Sequence, residues 1–318
     1  KDADKIEQFL MDDLFEKAQV ITATPVGANH YTVKNRKYET VIIDEAGQAL
    51  EPACWIPILK AGKVVLAGDH CQLPPTIKSE EASKKGLGLT LFEKCIEQHP
   101  EAVVLLEEQY RMNAAIMAYS SKVFYENKLK AHASVAERRL FLEEAPLEFI
   151  DTAGCGFDEK SEGTGMINSD EALFLRKHLL SLVNRISSQS EPVDFPSIAV
   201  IAPYRHQIDV LQDLLNHTPE LRPYRESISI NTVDSFQGQE RDVVYIGMTR
   251  SNTEGKIGFL ADIRRMNVAM TRARKKLVIV GDSATLSIHS FYSDFIAHAE
   301  SLNAYRSAWD MIFEPEIG

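Results

Sequence analysis

The chain has 318 residues, enough for about two domains of ordinary size. Lys and Arg number 35 against 46 Asp and Glu, a formal charge of −11, and 44% of residues are hydrophobic and 25% charged. That balance excludes disorder, collagen and coiled coil, while no run reaches the ~20 apolar residues that cross a bilayer, so no membrane partner is expected.

In chain order, a helix is expected over 4–17, followed by a buried strand at 20–23 (VITA) and another at 41–44 (VIID). A helix at 51–60, a strand at 64–68 (VVLAG), a helix at 90–97 and a strand at 103–106 (VVLL) complete the first block. After a helix at 114–125, residues 128–164 read as an irregular connection, because they hold Pro146, Gly154, Gly156, Gly163, Gly165 and mixed charge. The second block has a helix at 169–186, a surface loop at 187–196, a strand at 198–202, a helix at 206–215, strands at 228–231, 243–247 and 277–281, and one helix over 283–303. Apolar β-branched runs without polar alternation indicate strands covered on both faces, as in parallel sheets. Strand–helix alternation in two blocks gives two α/β layers. The boundary between them is placed near residues 106–111.

In the first block the chemistry-bearing residues follow strands, and in the second Gly238, Glu240 and Arg272 precede them. Asp44 and Glu45 leave a strand at its carboxyl end, where open α/β sheets place ligands. In a nucleoside triphosphatase the first acid holds Mg²⁺ and the second takes a proton from the attacking water; the plainer reading is two solvated acids. Gln72 follows Gly68-Asp69, ahead of Pro74-Pro75, and its neutral amide suits a γ-phosphate sensor. Arg111 lies just past the domain boundary, where a guanidinium can reach a phosphate, and the neighbouring Tyr110 can stack on a base. In the second block, Gly238 allows close backbone approach, Glu240 suits a ribose hydroxyl, Thr232 and Ser235 suit phosphate, and Arg272 offers another guanidinium. Arg274, Lys275 and Lys276 make a local basic cluster in an acidic chain. Cys54, Cys71, Cys95 and Cys155 are widely spaced with no CxxC pair, so each reads as a small hydrophobe in a reducing compartment.

Taken in order, VITATPVGA, VIIDEAGQALEP, AGDHCQLPPT, QYRM, VIAPYRHQ, TVDSFQGQE and NVAMTRAR resemble motifs Ic to VI of superfamily 1B helicases. The resemblance is to the immunoglobulin mu-binding protein and nonsense-mediated-decay helicase type, and it covers nearly the whole chain. It implies an ATP-dependent motor that moves 5′→3′ on single-stranded DNA or RNA, with ATP and Mg²⁺ as cofactors, in the cytoplasm. It implies two RecA-like P-loop NTPase domains with mostly parallel sheets: residues 1–107 as a partial first domain, 108–300 as the second, and 301–318 as a helical tail. Carried over by position, Asp44 handles Mg²⁺ and Glu45 is the base. Gln72, Arg111, Gly238 and Arg272 contact or sense the γ-phosphate, Tyr110 stacks on adenine, and Glu240 meets the ribose. Thr24, Pro75, Tyr204, Thr232 and Ser235 line the nucleic-acid track.

The family's phosphate-binding loop, G-x-x-x-x-G-K-[ST], does not occur in these residues; the dipeptides Lys78-Ser79 and Lys160-Ser161 do not follow glycine. The first domain is therefore expected to be truncated at its amino-terminal side, with exposed strand edges, and to need the amino-terminal part of the same protein as partner. The fragment alone is expected to be inactive. A non-hydrolysing nucleic-acid or protein-binding module is the second reading.

Overall fold

The computed structural model describes residues 2–163, 165–188 and 194–313, so part of the expected loop at 187–196 and the end of the expected tail lie outside the described residues. The chain divides into two compact units, Lys1–Val103 and Val104–Gly318. In chain order the described strands are β1 (Tyr38–Ile43), β2 (Ala61–Leu66), β3 (Glu108–Gln109), β4 (Lys130–Ala131), β5 (Leu147–Asp151), β6 (Lys160–Glu162), β7 (Gly165–Ile167), β8 (Ile198–Ile201), β9 (Ile228–Asn231), β10 (Arg241–Gly247), β11 (Ala273–Gly281) and β12 (Tyr305–Ser307).

In the first unit β1 and β2 pair in parallel, Val41 opposite Val64, with the helix Glu51–Ile58 between them in sequence. A second helix, Leu91–Gln98, starts from a reciprocal cap: Thr90 Oγ1 accepts the Glu93 N–H at 3.1 Å, and Glu93 Oε2 accepts the Thr90 N–H at 2.9 Å. The core here is small, built on Ile43, Ala46 and Cys54 with Leu66 and Phe92 against them. Contrary to the expectation of strands covered on both faces, Ile42 is 69% exposed, and Val64 and Val65 are also exposed. Residues 20–23 and 103–106 form no strand, and Val20, Val104 and Leu106 stand open to solvent. An apolar β-branched run becomes a strand only when a ladder partner satisfies its backbone, and neither run has one among the described residues.

The carboxyl ends of β1 and β2 touch backbone to backbone. The Ala46 N–H donates to Ala67 O at 2.8 Å and the Ala67 N–H to Ile43 O at 2.9 Å. A Cβ on Gly68 would meet Gly47 N at 2.8 Å, and one on Gly47 would meet Asp69 O at 2.9 Å. Both glycines therefore serve close approach of the two loops.

The second unit holds a six-stranded, all-parallel sheet in the order β12-β5-β11-β10-β8-β9. On one face the helices Ser169–Ser187 and Arg205–Asn216 bury Leu175, Leu179, Ile208 and Leu211 against Val200, Val243, Tyr245 and Val278. The first of these helices is set by its ends: Asn168 Oδ1 accepts the Glu171 N–H at 2.9 Å, acids occupy the first turn, and Arg185 lies in the last. On the other face the helices Ala114–Phe124, Ile263–Met270 and Ser290–Ser301 pack, and Phe295 meets Phe149 and Tyr119 edge to face. No helix of the described residues is long and apolar enough to cross a membrane.

Three expectations change in this unit. The connection at 128–164 contains β5, an interior strand of the sheet. The acids that argued against a strand there have partners: Glu148 lies 3.1 Å from Lys276 Nζ, and Asp151 Oδ2 accepts from Ser283 Oγ at 2.7 Å. The helix expected over 283–303 is two helices, Ser283–Leu286 capped by Asp282 and Ser290–Ser301 capped by His289. Within the segment expected as a helical tail, Tyr305–Ser307 adds β12 to the edge of the sheet beside β5.

Past the end of β10 the chain makes a strained bend. Thr249 has φ 68, a left-handed conformation that a β-branched residue rarely adopts. Its N–H is held by both oxygens of the buried Glu171, at 3.0 and 2.9 Å. Burial pushes the Glu171 carboxyl up to about 8, outweighing the Thr249 hydrogen bond that favours the charged form.

Two predictions follow from this packing. Gly68→Ala should destabilise the first unit by about 1–3 kcal/mol, as overpacking does, whereas Gly62→Ala, with nothing within 4 Å of its added Cβ, should leave the urea midpoint of that unit near the wild-type value. Because the folded pKa of Glu171 lies above its ordinary value of 4.5, its contribution to stability is full below that value and declines as pH rises towards about 8. Urea midpoints measured from about pH 5 to about pH 8 should fall more steeply in the wild type than in Glu171→Gln; parallel profiles would show the carboxyl charged throughout.

Candidate functional site

In the first unit the expected acids stand at the carboxyl end of β1. Asp44 and Glu45 are exposed and form no ion pair among the described residues. Glu45 has φ 52, a left-handed backbone that turns the chain sharply, and its Oε2 accepts from Gln48 Nε2 at 2.6 Å. Asp44 Oδ1 accepts the Glu45 N–H at 2.9 Å. The adjacent loop, after β2, is built by Asp69. Its Oδ1 accepts the Cys71 N–H at 2.9 Å, and its Oδ2 accepts from Gln72 Nε2 at 2.8 Å, which fixes the Gln72 amide. Pro75 is buried. Thr24 is exposed, and its Oγ1 accepts the Gly27 N–H at 2.9 Å in a local turn.

In the second unit the structure brings Arg111, Gly238, Glu240 and Arg272 into one neighbourhood. Arg111 Nε donates to Glu240 Oε2 at 3.0 Å, and its Nη1 donates to Thr271 O at 3.3 Å. Arg274 Nη1 lies 3.6 Å from the other Glu240 oxygen, so one half-exposed carboxylate collects two guanidinium groups. Arg272 is only 2% exposed. Its Nε donates to Val268 O at 3.0 Å and its Nη1 to Gln239 O at 3.2 Å, which ties the end of the helix Ile263–Met270 to the loop carrying Gly238 and Glu240. Gly238 turns that loop with φ 73, with open space where a side chain would be.

Tyr110 is 58% exposed, with one face stacked on His132 at 4.4 Å between ring centroids. Its hydroxyl donates to Glu108 Oε2 at 2.8 Å, which raises the phenol's pKa. Tyr204 belongs to a different cluster. It is buried, and its hydroxyl accepts from Arg250 Nη1 at 3.0 Å, while Arg250 grips Glu159 through two bonds of 2.8 Å. Thr232 precedes the short turn Val233–Phe236, which holds the exposed Ser235, with the Ser235 N–H on Thr232 O at 3.1 Å.

The basic triplet does not form a free strip. Arg274 faces Glu240, Lys275 Nζ lies 3.1 Å from Asp242, and the buried Lys276 meets Glu144 and Glu148 at 3.2 and 3.1 Å. The pairing with β10 shifts register here, from Arg241 opposite Ala273 to Val243 opposite Lys276, and the three cations end on separate acids. Sequence reasoning passed over Gln48, Asp69, His132 and Arg274 as supports of the site. For Gln48 and Asp69 the available signal was a three-residue spacing from Glu45 and Gln72. None of the four cysteines forms a disulfide; Cys54 is buried and the other three are partly exposed.

Comparison with known proteins gives the family. A family model described as an AAA domain matches residues 87–284, and a second of the same description matches residues 1–80. The DNA-binding protein SMUBP-2 of Rattus norvegicus is 40% identical over 314 residues, covering 93% of this chain and 30% of its own length. An uncharacterized ATP-dependent helicase of Methanocaldococcus jannaschii is 36% identical over 314 residues, covering 94% of this chain and 44% of its own. A regulator of nonsense transcripts 1 homolog of Neurospora crassa is 34% identical over 297 residues, covering 90% of this chain and 26% of its own. The chain thus spans less than half the length of these relatives. The parallel α/β layering agrees with the RecA-like architecture expected from the motifs, and with family models matching both stretches of its length the chain belongs to the AAA-domain helicases of superfamily 1.

Proposed function

We propose that these residues form the carboxyl-terminal part of an ATP-driven 5′→3′ motor on single-stranded DNA or RNA. The observation that carries the reading is the gathering of Arg111, Arg272 and Arg274 around the Gly238–Glu240 loop, where β10 and β11 of the parallel sheet begin. A module that only bound nucleic acid would have no use for guanidinium groups focused on one carboxylate. The relatives named as helicases support the same reading.

Each side chain has a distinct task in this scheme. Asp44 would hold Mg²⁺: it is a hard oxygen donor, exposed at a strand end and free of ion pairs among the described residues, which suits that ion. When bound, Mg²⁺ neutralises charge on the phosphate oxygens. Glu45, held by Gln48, accepts the proton of the attacking water. Gln72, anchored by Asp69, reads the γ-phosphate without adding charge. Arg111 is held extended by Glu240 and Thr271 O, ready to exchange the carboxylate for phosphate oxygens. Tyr110 offers its open face to adenine, and Arg272 positions the loop bearing Glu240. Thr24, Thr232, Ser235, Pro75 and Tyr204 belong to the nucleic-acid side, the last two as buried supports. The exposed β1 and β2 would accept further strands from the amino-terminal polypeptide that supplies the phosphate loop, within the cytoplasm.

The test compares the full-length protein with the 318-residue chain. Full-length protein should hydrolyse ATP, faster with single-stranded nucleic acid present. Arg111→Ala should lower kcat by about 10³-fold, and Glu45→Gln by about 10²–10⁴-fold. The isolated chain should turn over no faster than its own Glu45→Gln variant. Rapid, nucleic-acid-stimulated hydrolysis by the isolated chain would refute the need for an added phosphate loop. Nucleic-acid binding without hydrolysis by the full-length protein would favour the clamp.

A further inference from the structure

The loop after β2 carries two side chains, His70 and Cys71, to which the proposed motor gives no task. Asp69, His70 and Cys71 each offer one ligand atom, a carboxylate oxygen, an imidazole nitrogen and a thiol sulfur, and these three atoms lie within 4.8 Å of one another. Three consecutive side chains on an extended backbone would point to alternating faces. Here a tight turn defeats that alternation: the Gln72 N–H donates back to Asp69 O at 3.3 Å, and the Cys71 N–H donates to Asp69 Oδ1 at 2.9 Å.

We propose that Asp69, His70 and Cys71 form a site for a zinc-class divalent cation. A sulfur, nitrogen and oxygen set is the donor mixture that borderline-soft ions take, usually at four-coordinate centres, and three protein ligands leave one position open to water. The carboxylate is already oriented by the Cys71 N–H and by Gln72 Nε2, the kind of support that aims a metal ligand. His70 is exposed and gives the ion an entry path. On binding, the Cys71 thiol releases its proton to solvent and the thiolate takes the metal. Among the described residues no other group of three His, Cys, Asp or Glu side chains meets the same distance condition.

The selectivity differs from that of the neighbouring acids. Asp44 and Glu45 offer oxygen alone and suit Mg²⁺, whereas a thiolate and an imidazole disfavour it. Two abutting loops, joined through the Gly47–Gly68 contact, would thus discriminate between hard and soft cations. This inference stands on the turn geometry and does not require the motor reading.

The experiment is a titration of the 318-residue chain with Co²⁺ as a spectroscopic substitute for Zn²⁺. A thiolate-to-cobalt band should appear in the near ultraviolet, be displaced by Zn²⁺ and persist in excess Mg²⁺. Cys71→Ser should abolish the band, and His70→Ala should weaken Co²⁺ binding by roughly tenfold or more, with the urea midpoints of both variants confirming that they fold. A band that survives Cys71→Ser would put the metal on Cys54, Cys95 or Cys155 and overturn the assignment. Unchanged affinity in His70→Ala, or no band in the wild type, would overturn it as well.

Discussion

A carboxylate flanked by two guanidinium groups is the interaction on which the second unit's site depends. Glu240 receives Arg111 from the segment ahead of the sheet and Arg274 from the start of β11. Half-buried cations need a counter-charge or they lose their hydration without compensation. Glu240 supplies it, and so holds two distant parts of the chain in register. Arg272 works beneath this pair: its guanidinium is spent on the carbonyls of Val268 and Gln239, which fixes the loop from below. The surface pair alone would be weak in water; the buried arginine under it makes the arrangement definite.

The second unit was the more legible in the sequence. IAVIA, VVYIG and LVIVG are continuous apolar runs because both faces of the sheet are covered, and each forms an interior strand. LEFID was hidden by Pro146 and its two acids. Its satisfaction comes from Lys276 and Ser283, far along the chain, which no local pattern reveals. Conversely, VITA and VVLL have the composition of strands but no ladder partner among the described residues. Composition announces willingness to pair; it does not supply the neighbour.

The site divides along the same line. Asp44, Glu45, Gln72, Arg111, Gly238, Glu240 and Arg272 are legible because strand ends and turn glycines mark them. Their supports are not. Arg274 was submerged in a run of three cations, and only their different acid partners, across an irregular stretch of the β10–β11 pairing, separate it from Lys275 and Lys276. Tyr204, which the resemblance assigns to the nucleic-acid track, has its hydroxyl engaged by Arg250 inside the unit, a contact no local pattern reveals.

The bend at Thr249 has one more implication. A threonine forced into left-handed backbone stores roughly 1–3 kcal/mol, and here the N–H of that same residue is clasped by Glu171. Since Arg250 comes next in the chain, the carboxylate that holds the bend also fixes the point from which the Arg250–Tyr204 pair departs the sheet.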